Sequence, residues 1–227
     1  GPVVWTLITA LSPTDSVTQE VNVGFGAFAD VFTKIPIWLY AWNSALVVLL
    51  VAAGQMLSAA MAGYVFAKFE FRHKKLMFAL ILATMMVPLQ VTIVPVFMLV
   101  RGMGLADTLL ALIVPALPTA FGTFLMRQYF MGIPTELGEA AQLDGAGPWR
   151  TFFGVYLPLA TPGLAIVGIL AFNYHWNEFF RPLIMTISDQ NFTLPLGLVT
   201  LQGNLGTGSV STAVSYTHLR AHETKAN

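Results

Sequence analysis

The chain has 227 residues, of which 56% are hydrophobic and only 10% are charged. Its formal net charge is zero, so no overall field points to a nucleic acid partner. Soluble domains carry about 25% charged residues, so this composition indicates an integral membrane protein. The chain has no cysteine, which excludes disulfides and thiolate sites. Its four histidines do not follow a zinc-ligand spacing.

Four apolar stretches are long enough to cross a bilayer, which takes about 20 residues. They cover residues 43–67, 76–100, 108–130 and 159–185. Pro88 and Pro95 interrupt the second stretch, and Pro115 and Pro118 lie in the third, which predicts kinked helices packed in a bundle. The first stretch has small residues that suit close helix contact: Gly54, Ser58, Ala59, Ala62 and Gly63.

Both ends of the chain differ from these stretches. Residues 1–11 are apolar but too short to span, and we interpret them as the end of a further helix. Residues 12–40 and 190–212 are mixed in polarity and are expected outside the membrane. Residues 213–227 are polar where a last helix is expected, so we interpret them as a non-native tail, with a native polar terminus as the alternative. The expected fold is therefore all-α, with four complete spans, a partial first helix and no last helix.

Basic residues in the short loops predict the orientation of the spans, because Lys and Arg favour the cytoplasmic side. If every stretch crosses, one side holds six basic residues and the other holds three. The first group is Lys68, Arg72, Lys74, Lys75, Arg127 and Arg150, and the second is Lys34, Arg101 and Arg181. The loop between the third and fourth stretches is therefore expected in the cytoplasm.

That loop, about residues 131–158, is polar and punctuated by Gly and Pro. Its first part, from Pro134 to Gly145, predicts a short helix that Thr135 caps and Gly145 ends by taking a positive φ. Trp149, Phe152 and Phe153 are predicted to form an apolar patch that suits an interface.

The same loop carries a spaced motif, which reads E-A-A, three residues, G, and later L-P. The residues in register are Glu139, Ala140, Ala141, Gly145, Leu157 and Pro158. This pattern resembles the EAA loop of bacterial ABC-importer permeases. The resemblance implies that the loop, with Asp144 beside its glycine, is a cytoplasmic docking element for a separate ATPase subunit.

Further motifs resemble those of sugar-type permeases of this family. They are Asn43-Ser44, the segment 62–69, Met86 to Gln90 with Pro95, Trp176 to Phe179 with Pro182-Leu183, and the segment 193–198. The resemblance covers roughly residues 5–212 and implies a MetI-like, maltose-permease-like domain over residues 1–212. It further implies an inner-membrane subunit that carries a sugar or oligosaccharide. A permease of the same fold for an amino acid, a polyamine or glycerol phosphate is the alternative.

The family also implies partners. These are a second permease subunit, two ATPase subunits that hold ATP and Mg, an extracytoplasmic solute-binding protein and the lipid bilayer. The chain has no G-x-x-x-x-G-K-[ST] phosphate loop, so ATP hydrolysis is expected on a partner and no catalytic residue or cofactor is assigned to this chain. The alternative is a membrane enzyme that uses His175 and Glu178, whose i, i+3 spacing places them on one helix face.

Polar residues within spans are candidates for a solute pathway. Asn173, Tyr174, Asn177 and Gln90 offer amide and aromatic groups that suit hydroxyl-rich ligands. For Gln90, as for Gln55, an interhelical hydrogen bond is the alternative. Glu178 would lie roughly 29 Å from Leu159 along a continuous helix, so we expect it to be solvated or capping near the outer interface, with substrate contact as the alternative.

Overall fold

The computed structural model describes residues 36–205, with side chains described up to residue 199. All regular elements in that part are helical, in agreement with the all-α prediction. The predictions for residues 1–35 and for the tail at 213–227 lie outside the described residues.

Helix α1 (Ile37–Lys68) is the one uninterrupted helix of the described part that is long and apolar enough to cross a membrane. It begins six residues before the predicted start, directly after Pro36, and its 32 residues span about 48 Å. Phe69 is extended and ends the helix. Asn43 and Ser44 therefore lie inside the helix rather than at its beginning.

The second predicted span is broken into α2 (Lys74–Thr84) and α3 (Leu89–Gly102), which meet at an angle of 101°. The break ends at Pro88, whose backbone is extended and which has no N–H to donate. This confirms the interruption predicted at Pro88. The one predicted at Pro95 is wrong, because α3 continues through that residue.

The third predicted span consists of α4 (Leu109–Ile113), a 3₁₀ turn (Val114–Ala116) and α5 (Ala120–Met131). Its two halves bend by 42° around Pro118. The side-chain oxygen of Thr119 accepts a hydrogen bond of 3.1 Å from the Gly122 N–H and so caps α5. The predicted kink is confirmed.

The 131–158 loop contains α6 (Glu136–Leu143), α7 (Pro148–Thr151), a π-helical turn (Phe152–Tyr156) and α8 (Leu157–Leu159). After a 75° bend at Ala160, α9 (Thr161–Trp176) follows. The remaining elements are α10 (Phe180–Met185), a 3₁₀ turn (Asp189–Asn191) and α11 (Leu194–Leu205).

A single helix over 159–185 is therefore a wrong prediction. Pro162 has no N–H for the carbonyl of Pro158, and the Thr161 hydroxyl donates to that carbonyl at 2.7 Å instead. A second break separates α9 from α10 at residues 177–179. By length and composition the described residues contain one span, or up to four if each bent pair crosses as a unit.

Helix α1 packs against α5 and α9 at the centre of the bundle. A Cβ atom on Gly63 would lie 2.8 Å from the backbone nitrogen of Arg127, so only glycine permits this approach. The predicted close contact of small residues is confirmed there. One apolar cluster surrounds Val51 and Leu112, a second surrounds Tyr64 and Phe130, and a smaller one surrounds Tyr40. The core of the described part therefore has three parts along α1.

Candidate functional site

The short helix α6 in the 131–158 loop ends in a Schellman motif. Gly145 has a φ of 81°, and its N–H donates to the Gln142 carbonyl at 3.0 Å. The N–H of Ala146 donates to the Ala141 carbonyl at 2.9 Å. The predicted positive φ of Gly145 is confirmed, and it satisfies carbonyls that the end of α6 would otherwise expose.

The predicted cap at the beginning of α6 is wrong. Thr135 has helical backbone angles, and its side chain makes no capping hydrogen bond. Because its ψ of −27° already follows the helix, the hydroxyl is not placed to accept from the N2 or N3 amide. The acidic residues Glu136 and Glu139 do lie in the first turn, where the helix dipole favours negative charge.

Helix α6 rests on the π-helical turn through a glycine. Gly138 is the one buried residue of α6, and a Cβ there would lie 2.4 Å from the Tyr156 hydroxyl oxygen. Tyr156 in turn packs on Tyr64 of α1, with ring centroids 5.0 Å apart. A chain of direct contacts therefore connects α6 to the central helix of the bundle.

Lys68 reinforces this connection at the end of α1. Its ammonium donates to the Ile133 carbonyl at 2.5 Å and lies 5.1 Å from the centre of the Tyr156 ring. In the sequence, Lys68 contributes to the predicted orientation, and no pattern predicts a role for Gly138 or Tyr156. From the sequence alone, Gly138 could equally indicate a close packing contact or a flexible position in the helix.

The outer surface of the 131–158 loop exposes large apolar side chains. Leu143 is 89% exposed, Trp149 64% and Phe153 50%, and the last two rings stack with centroids 6.1 Å apart. Phe152 was predicted in the same patch, but it is buried against Tyr64 and Phe130. That part of the prediction is wrong, because the π-helical turn directs Phe152 inward.

The residues of the E-A-A motif are likewise divided between exposed and partly buried positions. Ala141 and Leu157 are half-buried, and Leu157 packs on the cluster around Tyr64. The exposed members are Glu139, Ala140, Asp144, Gly145 and Pro158. Their role in docking a partner stays a prediction.

All four predicted pathway residues lie at one cleft, which we call the amide cleft. Gln90 at the beginning of α3 and Asn173, Tyr174 and Asn177 around the end of α9 line a space of about 490 Å³. Phe179 and Phe180 add aromatic walls. The break that ends at Pro88 and the break after Trp176 bring these side chains together, although 83 residues separate Gln90 from Asn173.

A buried ion network lies beside the amide cleft. The Gln55 amide donates to the Ala116 carbonyl at 2.7 Å and lies 3.1 Å from His175 Nε2. His175 Nδ1 is 2.8 Å from Glu178, whose other carboxylate oxygen is 3.2 Å from Arg181 Nε. The alternative of an interhelical hydrogen bond thus holds for Gln55.

The expectation of a solvated or capping Glu178 is wrong. Its side chain is 9% exposed, because α9 ends at Trp176 and the chain turns inward before α10. Arg181, which the sequence analysis placed among the outer basic residues, is 8% exposed and donates to the Leu112 carbonyl at 3.2 Å. The i, i+3 spacing of Glu178 and Arg181 allows the two side chains to meet on one face of a helical turn.

The described part of the chain therefore combines bent apolar helices, a surface loop built on a short helix, and a polar cleft near helix breaks. Along α1, about 20 Å separate Gln55, which lies beside the amide cleft, from Lys68, which contacts the 131–158 loop. Broken membrane helices around polar groups are typical of transporters. The fold and the two sites thus define a polytopic membrane transport protein.

Comparisons with known proteins define the family. Residues 56–219 match the binding-protein-dependent transport system inner membrane component family. The arabinooligosaccharides transport system permease protein AraQ of Halalkalibacterium halodurans is 36% identical over 195 residues, which is 82% of this chain and 70% of that protein. The lactose transport system permease protein LacG of Rhizobium radiobacter is 32% identical over 204 residues, or 88% and 75% of the two chains.

A third relative is the sn-glycerol-3-phosphate transport system permease protein UgpE of Brucella abortus, which is 34% identical over 83% of this chain and 67% of its own length. Among solved structures, a bacterial ABC transporter involved in the import of the acidic polysaccharide alginate has a TM-score of 0.77. At 24% identity over 95% of this chain and 79% of that one, this likeness shows the fold.

The chain belongs to the family of inner membrane components of binding-protein-dependent transport systems. It is a permease subunit rather than an enzyme. The alternative of a membrane enzyme using His175 and Glu178 is therefore wrong. The two side chains do touch, but they do so within the buried ion network of a transport subunit.

Proposed function

We propose that this chain is the permease subunit of an importer for a sugar or oligosaccharide, driven by a separate ATPase that docks on the 131–158 loop. The amide cleft is the observation that carries the choice of solute. Relatives named for arabinooligosaccharides, lactose and diacetylchitobiose support the same class.

The chemistry of the amide cleft suits uncharged hydroxyl-rich solutes. Asn173, Asn177 and Gln90 provide both donors and acceptors, and Tyr174 and Phe180 provide aromatic faces. Among the residues that line the cleft, the one charged group is Glu178, which Arg181 pairs. An anion entering the cleft would therefore meet a carboxylate and no uncompensated cation.

Glycerol phosphate is the second candidate solute, because UgpE proteins are relatives at 34% identity. A phosphate group is best held by Arg or Lys. Arg181, the cation that pairs with Glu178, also donates to the Leu112 carbonyl. These contacts favour the neutral solute over the phosphate ester.

The contacts on the two sides of the 131–158 loop support its role in docking the ATPase. Its exposed side carries Leu143, Trp149 and Phe153, which suit a protein interface. On the inner side of the loop, α6 packs on Tyr156, and Tyr156 packs on α1. Displacement of α6 would therefore be transmitted to the bundle. The excess of basic residues on this side supports a cytoplasmic position for the loop, where ATP is available.

The partners follow from this arrangement. A complete importer would contain a second permease subunit, two ATPase subunits with ATP and Mg, and an extracytoplasmic solute-binding protein. Asp144 and Gly145, together with the exposed residues Glu139 and Ala140, would lie at the contact with the ATPase.

The docking proposal is tested with Glu139→Lys combined with Gly145→Pro. Proline cannot adopt the positive φ of Gly145, so α6 would lose its end while an interface charge is reversed. We expect loss of ATPase co-purification and of uptake. The matched control is Glu70→Lys with Gly104→Pro, which makes the same changes outside this loop. Normal ATPase association in the first variant would contradict the docking role.

The solute proposal is tested by uptake into vesicles that contain the assembled importer. Labelled neutral oligosaccharides and labelled glycerol phosphate are compared for the parent and for Asn177→Ala. We expect uptake of the neutral sugar, and a reduction of about 5- to 100-fold in the variant if Asn177 contributes one or two hydrogen bonds. Uptake of glycerol phosphate alone would reject the sugar assignment and leave the permease class intact.

A further inference from the structure

A further cavity opens away from both the 131–158 loop surface and the amide cleft. It lies between the end of α1, the beginning of α2 and the middle of α5, and has a volume of about 640 Å³. His73, Lys74, Lys75 and Arg127 line it together with the rings of Phe71 and Phe78. We call it the basic groove.

The basic groove carries excess positive charge. Its one carboxylate, Glu70, is 90% exposed at the edge and pairs with Lys74 at 2.8 Å. Hydrogen bonding from Lys74, and then the charges of Lys74 and Lys75, lower the pKa of Glu70. Among the described residues, no carboxylate lies within ion-pair distance of Lys75 or Arg127.

Arg127 is held in place within the groove. Its Nε donates to the Phe66 carbonyl at 3.2 Å, and its guanidinium lies 4.3 Å from the centre of the Phe78 ring. The terminal guanidinium nitrogens make no hydrogen bond within the described part of the chain. A guanidinium fixed in this way can bind a phosphate with little further loss of side-chain freedom.

An exposed apolar surface begins beside these cations. No residue of α2 is buried within the described structure, although the helix is mostly apolar. Leu76 is 58% exposed, Met77 49% and Leu80 60%. A ligand that follows α2 from the groove would thus have an anionic head and an apolar tail.

We propose that the basic groove binds one anionic phospholipid, with its phosphate near Lys75 and Arg127 and an acyl chain along α2. A free phosphate would use the cations and leave Leu76 and Leu80 uncovered. Basic pockets between membrane helices are suited to anionic headgroups. This site is independent of the transported solute and of ATPase docking.

The test uses the purified chain in mixed micelles that contain equal amounts of phosphatidylglycerol and phosphatidylcholine. Native mass spectrometry then counts the lipids retained. We expect one retained phosphatidylglycerol and no comparable retention of phosphatidylcholine. Lys75→Gln should reduce this retention about fivefold, because one basic side chain near an anionic surface is worth about 1 kcal/mol.

Arg101→Gln is the matched control, because it removes an exposed cation at the end of α3. Equal loss in Arg101→Gln, or unchanged retention in Lys75→Gln, would overturn the proposal. Glycerophosphoglycerol, the headgroup without acyl chains, separates the two sources of phosphate. Displacement of the lipid by this compound at an equal concentration would also overturn the assignment to a lipid.

Discussion

Glu178 and Arg181 form an ion pair inside the bundle, with 3.2 Å between Oε1 and Nε and with about nine-tenths of both side chains buried. The pair lies at the break between α9 and α10. Glu178 also forms a hydrogen bond with His175, and Arg181 donates a hydrogen bond to the Leu112 carbonyl. The break in the apolar helix is therefore stabilised by polar contacts that a continuous span would not need.

Arg181→Met should destabilise the protein by about 3–5 kcal/mol, because it leaves the Glu178 carboxylate buried without its partner. The measurement is a thermal melt in detergent. Arg101→Met is the control, since Arg101 is exposed. The double variant with Glu178→Gln should recover part of the loss, and fully additive effects would argue against a direct pair.

Gly138→Ala should disturb the seat of α6, because the new Cβ would lie 2.4 Å from the Tyr156 hydroxyl. We expect uptake by the assembled importer to fall, because α6 must move away from the Tyr156 ring to admit the methyl group. Tyr156→Phe in the same chain removes the hydroxyl and should restore part of the uptake. Gly154→Ala, where a Cβ meets nothing within 4 Å, is the control. Equal uptake by Gly138→Ala and Gly154→Ala would contradict a specific contact at Gly138.

Gly63→Ala should separate α1 from α5. The added Cβ would lie 2.6 Å from Met126 Cβ and 2.8 Å from the Arg127 backbone nitrogen, and a backbone atom cannot rotate away. Overpacking of this kind costs about 1–3 kcal/mol. In Gly102→Ala, the Cβ meets nothing within 4 Å, and stability should be unchanged or slightly higher. Equal melting temperatures for the two variants would contradict the close approach.

Asp107 should make stability depend on pH in the acidic range. Its carboxylate accepts hydrogen bonds from the Ser188 hydroxyl and from the N–H groups of Ile187 and Ser188, which hold the pKa of Asp107 well below its usual value. A folded pKa below the unfolded one stabilises the folded state above the unfolded pKa. This contribution is lost as the pH falls below about 4.

The measurement for Asp107 compares thermal melts of the parent and of Asp107→Asn from about pH 7 to about pH 3. The parent should lose stability at the acidic end more steeply than the variant. Asp189→Asn is the control, because Asp189 is exposed in the same region. Identical pH profiles for the parent and Asp107→Asn would contradict the hydrogen-bonded carboxylate.

The amide cleft shows how far sequence reasoning reached. Asn173, Tyr174, Asn177 and Gln90 were chosen one by one as polar residues near apolar stretches. The structure brings them to one space, because α3 begins after Pro88 and α9 ends at Trp176. The proline was visible in the sequence. The turn at Asn177 was not, because the sequence has no proline between Trp176 and Phe180, where α9 ends and α10 begins.

At this site, the main error of the sequence-based prediction was to expect the charged residues to be exposed. Glu178 was placed near the outer interface by counting along a straight helix, and Arg181 was assigned to the outer side by the distribution of basic residues. Both side chains are buried. Pairing between charged side chains depends on the geometry of the break and on α4, which supplies the Leu112 carbonyl. The i, i+3 spacing of Glu178 and Arg181 is local, but the burial of the pair and the bond to the Leu112 carbonyl depend on distant helices, so hydropathy could not indicate them.

By itself, the sequence determined the membrane class, the four apolar stretches, the interruption at Pro88 and the helix end at Gly145. These features depend on local chemistry, since hydropathy, a missing N–H and the freedom of glycine act within a few residues. Only the tertiary structure decided that Phe152 turns inward, that Gly138 receives Tyr156 and that Glu178 pairs with Arg181 in the interior. Each of these depends on how distant helices approach one another, and the approach is set by close packing across the whole bundle.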